Sequence, residues 1–167
     1  RLRTHTDLSH TEIREVFHHA GHTNESIEAL RQLLLSARKL SQGKKITLVF
    51  GCGGERDSQK RPVMGSLAVQ GADKVIVTSD NSRKEDKDVI ISDILSGICD
   101  REKLLVIKDR KEAIEEAIRK SEDNELILIV GKGHEDYEID ETGKHSFSEK
   151  EIIGNCLERL GYLKESE

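Results

Sequence analysis

Hydrophobic positions in this chain switch repeatedly between helical spacing and short unbroken runs. Ile27, Leu30, Leu33, Leu34 and Ala37 recur at helical spacing, and Asn24 stands where a helix starting near Glu25 needs its cap. Ser41-Gln42-Gly43 closes that helix. Lys45-Ile46-Thr47-Leu48-Val49-Phe50 is β-branched and reads as a strand. Pro62 suits the first turn of a helix over roughly residues 62–70. Residues 74–78 form a second strand pattern, and Asp86 can cap a helix running to about Gly97. Residues 104–107 then predict a strand, and Asp109 with Glu112 fits a capping box for a helix to Ser121. Residues 126–130 predict another strand, and Ser148 with Glu151 opens a last helix to about Leu160. Strands alternating with helices predict an α/β domain: a mostly parallel sheet with helices on both faces.

Residues 1–21 do not join this pattern. They are polar, carry His5, His10, His18 and His19, and have no clean period, so they read as a partly ordered lead-in to a domain over 22–167. The charged tail from Lys164 is expected to fray. The chain shows no internal repeat and no low-complexity segment.

Charge and composition narrow the function. The chain has 167 residues, with 27 Lys+Arg against 32 Asp+Glu, and aromatic residues are 3% of it. A net charge of −5 argues against sequence-independent nucleic-acid binding, which needs a basic surface. No apolar run approaches the ~20 residues that span a bilayer, and the polar start is unlike a secretory signal. Cys52, Cys99 and Cys156 are odd in number and lack Cys-x-x-Cys spacing, which reads as a reduced cytoplasmic protein with buried thiols and no metal site.

The chemistry concentrates in three polar loops, each following a strand, where ligands bind in open parallel sheets. The first holds Gly51, Gly53 and Gly54, then Glu55, Arg56, Asp57, Lys60 and Arg61. Its glycines suit either an anion approached by backbone amides or a turn for close packing. The pattern is neither the dinucleotide fingerprint, since Arg56 stands at its third glycine, nor a P-loop, which occurs nowhere in the chain. The second loop, Asp80-Asn81-Ser82-Arg83, sets an amide beside a guanidinium, a pairing suited to carboxylates and equally to an Asx turn with Arg83 in solvent. The third, Gly131-Lys132-Gly133-His134-Glu135, turns sharply, is expected to expose the Lys132 ammonium, and offers Glu135 to an ammonium ligand. Cys52 and His134 have the residue types of a nucleophile pair, without an evident third group to orient them. Together the loops supply Arg56, Asn81 and Arg83 for carboxylates and Glu135 for an amine, the complement of an amino acid with an extra carboxylate.

These motifs resemble a known family. Phe50-Gly51-Cys52-Gly53-Gly54-Glu55-Arg56-Asp57 with Lys60-Arg61-Pro62, Asp80-Asn81-Ser82-Arg83 and Gly131-Lys132-Gly133-His134-Glu135 look like the C-terminal domain of a Mur ligase of the tripeptide-synthetase type. The likeness covers about residues 45–162; Ser82 stands where the family motif has proline. It implies a Rossmann-like domain of an amide ligase of peptidoglycan synthesis, using ATP and Mg2+. Such an enzyme adds a diamino acid to UDP-linked muramoyl dipeptide. Carried over, Arg56, Asn81, Arg83, Gly131 and Glu135 match the positions that hold the diamino acid, and Arg83 favours meso-diaminopimelate over lysine or ornithine. His22, Asp57 and Lys60 match the nucleotide side. The resemblance places no catalytic residue in this stretch, which is expected to be an inactive, monomeric fragment of a longer ligase. A free-standing amino-acid or nucleotide-binding module of the same fold is the competing expectation. A domain adding glutamate to folate fits the second and third loops less well.

Overall fold

A computed structural model describes residues 2–4, 15–19, 27–133 and 135–162. Its elements in chain order are β1 (Leu2–Thr4), β2 (Glu15–His19), α1 (Ile27–Ser41), β3 (Lys45–Phe50), α2 (Lys60–Gly71), β4 (Lys74–Val77) and α3 (Lys87–Ser96). There follow β5 (Leu104–Val106), α4 (Arg110–Arg119), β6 (Glu125–Ile129), β7 (Tyr137–Asp140), β8 (Gly143–Ser146) and α5 (Glu149–Arg159). The expected caps form: Asp86 accepts from the Asp88 N–H, Asp109 from Glu112 and Ser148 from Glu151. Asn24, expected to cap α1, lies outside the described residues.

The main sheet has the order β1-β2-β6-β3-β4-β5, parallel from β2 to β5, with β1 antiparallel to β2. β3, β4 and β6 are central and buried on both faces, so they read as continuous apolar runs. Alternate residues serve opposite faces. Ile46, Leu48, Phe50, Val75, Val77, Leu126 and Leu128 pack with Leu30, Leu33, Leu34 and Ala37 of α1 and with α2 and α3. Val49, Ile76, Ile127 and Ile129 pack against α4 and α5. Each such side chain contributes about 1.5–3 kcal/mol by leaving water.

Two features depart from the periodicity reading. The stretch read as a lead-in without elements contributes β1 and β2, and β2 pairs with β6 in register Glu15↔Leu126 to His18↔Ile129. Its three- and five-residue strands are too short and too polar to show a period. The hairpin β7–β8 is likewise unpredicted, because its four-residue strands are short and largely polar and show no apolar run. The thiols also divide: Cys52 and Cys156 are buried, but Cys99 is exposed.

From β3 the chain steps outward to β4 and β5, then returns to place β6 on the other side of β3. The loops leaving β3 and β6 therefore diverge to opposite faces, and the crevice between them is the topological switch point where such sheets bind ligands.

Candidate functional site

The loops after β3, β4 and β6 meet at this crevice. The first is pressed onto the second: the Gly54 N–H donates to Asn81 O at 2.8 Å, and a Cβ on Gly54 would lie 1.9 Å from Ser82 O. Close packing is thus what these glycines serve. Arg83 has φ +55°. Its N–H donates to Ile139 O at 3.0 Å, and its Nη1 donates to Gly54 O at 2.8 Å and to Asn81 O at 3.3 Å. The guanidinium braces the loops through one nitrogen, leaving Nε and Nη2 without partners among the described residues. Arg56 sits on the same rim: a Cβ on Gly53 would meet Arg83 Nη1 at 3.2 Å and Arg56 Cγ at 3.6 Å.

Asn81 joins the second and third loops. It is buried; Oδ1 accepts from Lys132 Nζ at 2.7 Å and from the Ile139 N–H at 3.0 Å, and Nδ2 donates to Glu135 Oε2 at 2.9 Å. Glu135 is half-buried at the crevice edge. Gly131 has φ +134°, and a Cβ there would approach Asp80 Oδ2 to 2.9 Å. The structure therefore brings Arg56, Asn81, Arg83, Gly131 and Glu135 to one place. Asp57 and Lys60 lie at the start of α2, where their side chains pair at 3.8 Å. His22 lies outside the described residues.

Lys132 corrects an expectation. Its side chain is fully buried rather than exposed, paired with Asp80 at 3.5 Å, donating to Tyr137 O at 3.0 Å and lying over the Phe147 ring at 5.3 Å. Burial pulls its pKa below the ordinary lysine value, with Asp80 opposing. Asp80 and these carbonyls outbid water for the ammonium. Cys52 is buried: burial pushes its thiol up to about 12, and Sγ packs 3.9 Å from Met64 Sδ. His134, its suggested partner, lies outside the described residues.

Two buried arginines support the site: Arg61, which the first-loop motif placed among charges for an anionic ligand but which faces protein carboxylates instead, and Arg110, which no motif singled out. Arg61 grips Glu85 through both terminal nitrogens at 2.6 and 2.7 Å, reaches Asp93 at 2.9 Å and Gly53 O at 3.2 Å. Glu85 in turn accepts the Glu55 N–H at 2.9 Å. Arg61 thereby ties the first loop to the second, and its hydrogen bond holds the Glu85 carboxyl below the usual range, against the opposing effect of burial. On the other face Arg110 donates from Nε to Glu149 at 2.6 Å, from Nη1 to Ser79 O at 3.1 Å and from Nη2 to Val130 O at 2.8 Å, clamping the ends of β4 and β6. Both arginines occupy the first turn of a helix, where a cation opposes the helix dipole. That anomaly was the available signal.

A family model described as Mur ligase, glutamate ligase domain, matches residues 12–133, most of the chain. The chain belongs to the Mur ligase family. It is 48% identical over 130 residues to the UDP-N-acetylmuramoyl-L-alanyl-D-glutamate–2,6-diaminopimelate ligase of Haemophilus ducreyi, covering 78% of this chain and 26% of that protein. It is 43% identical over 137 residues to the ligase of the same name from Aquifex aeolicus, covering 82% of this chain and 28% of that protein. A solved structure of a ligase of that name superposes with a TM-score of 0.83 at 32% identity, over 98% of this chain and 32% of that one. The chain thus spans about a quarter to a third of these Mur ligases. A Thermotoga maritima UDP-N-acetylmuramate-alanine ligase, at 18% identity and a TM-score of 0.54, shares the fold over 92% of this chain and 29% of that one.

Proposed function

We propose that this Mur ligase domain binds the incoming amino acid of a larger enzyme. That enzyme joins meso-diaminopimelate to UDP-N-acetylmuramoyl-L-alanyl-D-glutamate in the cytoplasm, for peptidoglycan synthesis. The observation that carries the reading is the convergence of Arg56, Arg83 and the Asn81 amide beside the Glu135 carboxylate across three loops. Glu135 would take an ammonium group, and the free Nε and Nη2 of Arg83 a distal carboxylate in bidentate fashion. Gly131, with no side chain, lets the third loop pass close to Asp80 and Arg110. The relatives at 48% and 43% identity carry names that specify diaminopimelate.

In this reading the chain orients the amine whose nitrogen forms the new amide bond. ATP with Mg2+ would supply activation of the receiving carboxylate. No group of three His, Cys, Asp or Glu among the described residues could hold a metal ion, and the first loop is closed by packing rather than shaped as a phosphate cradle. Those groups are assigned to the remainder of the ligase, and Asp57 and Lys60 to the rim facing it.

Calorimetry with meso-diaminopimelate, lysine and ornithine tests the proposal. The dicarboxylate should bind at least tenfold tighter, and Arg83→Ala should cost it about 1–3 kcal/mol while leaving lysine unaffected. Equal affinity for all three, or none, overturns it.

A further inference from the structure

An amide side chain has a donor end and an acceptor end of nearly identical shape, and its hydrogen-bond partners decide which way it faces. At Asn81 two donors, Lys132 Nζ and the Ile139 N–H, converge on one end, and an acceptor, Glu135 Oε2, meets the other. Turning the amide over would set N–H against both donors and oxygen against a carboxylate. We infer that Lys132 is a positioning residue of the amino-acid site, locking the Asn81 amide so that Nδ2 lies beside Glu135. The inference rests on the function proposed above.

The ligand side follows from this orientation. Nδ2 carries two N–H groups, of which Glu135 takes one, and the second has no partner among the described residues. A donor N–H adjacent to a carboxylate is the complement of one end of an amino acid: its ammonium goes to Glu135 and its carboxylate to Asn81. With the amide reversed, Oδ1 would face that carboxylate and repel it. The ammonium suits this task because it cannot act as an acceptor, and it is held in place. Asp80, Tyr137 O and the Phe147 ring surround it, and the glycines at 131 and 133 allow the chain to bring it inward. The fixed donor and acceptor of the site are therefore set by the pair Lys132–Asn81.

The test uses the isotopically labelled chain. In the unsubstituted protein the Asn81 side-chain NH2 protons should show stronger nuclear Overhauser contacts to Glu135 than to the Ile139 amide, which lies against Oδ1. Lys132→Met removes the ammonium that faces buried Asp80 and risks the fold, so Asp80→Asn/Lys132→Met, which keeps the buried charge balanced, accompanies it. The folded double variant should lose the Glu135 contact and bind meso-diaminopimelate at least tenfold more weakly. Stronger contacts to Ile139 than to Glu135 in the unsubstituted chain, or a folded double variant that retains both the Glu135 contact and affinity within twofold, overturn the inference. If the unsubstituted chain binds no amino acid, the proposed function fails, while the NH2 contacts still judge the orientation.

Discussion

Replacing Arg110 by Met removes a guanidinium that is 1% exposed and touches three acceptors. Glu149, 2% exposed, stays buried and loses the Arg110 guanidinium at 2.6 Å. Breaking one side of a buried pair costs about 3–5 kcal/mol, because the remaining charge stays out of water and loses the attraction of the guanidinium. Ser79 O and Val130 O also lose a donor, which adds on the order of 1 kcal/mol or more. Against a total stability of about 5–15 kcal/mol this is a large fraction. For a chain of this size the sum of about 4–6 kcal/mol corresponds to a melting temperature lower by roughly 8–24 °C. Arg110→Met/Glu149→Met removes the buried carboxylate together with the guanidinium, so it should regain at least about 2 kcal/mol over the single variant. Urea unfolding followed by circular dichroism measures all three proteins. A single variant within about 1 kcal/mol of the parent, or a double variant no more stable than the single, refutes the assignment of Arg110 as a charge-coupled clamp.

Other outcomes are specific to single residues. Gly54→Ala places a Cβ 1.9 Å from Ser82 O, so the first two loops must separate; amino-acid binding should fall at least tenfold, and unchanged calorimetry contradicts the packing described. Native protein should give one fast-reacting thiol, Cys99, and three after denaturation, since Cys52 and Cys156 are buried; a second fast thiol contradicts this. Arg61 lowers the Glu85 pKa in the folded state, so this pair stabilises the fold above the usual glutamate value of about 4.3, and the contribution disappears as pH falls through the lower folded value. Melting curves from pH 7 to about 3 should therefore show a shallower acid decline for Glu85→Gln; an identical slope removes Glu85 from the account.

Much of the domain was legible locally. The α1 stripe, the caps at Asp86, Asp109 and Ser148, and the runs of β3, β4 and β6 all appear where periodicity and capping chemistry put them. These signals survive because one buried stripe or run dictates several residues at once. β1, β2 and the β7–β8 hairpin were not legible, because short polar strands owe their existence to a neighbouring strand rather than to a period of their own. The same contrast runs through the site. Arg56, Asn81, Arg83, Gly131 and Glu135 could be named from three loop motifs. Whether Lys132 is exposed or buried, and whether the first loop's glycines cradle an anion or pack, could not.

The order of polar and apolar residues was enough to determine an α/β domain, its parallel strands and the edge of the sheet on which chemistry collects. That information is local, carried by backbone propensity and by the burial of alternate side chains. Only the tertiary structure decided which polar groups face a ligand and which face each other. Lys132 is drawn in by Asp80, Arg61 by Glu85 and Arg110 by Glu149, across sequence separations that no local pattern spans. The physical reason is that a buried charge must find its counter-charge in space, and where that partner stands depends on the order of the strands.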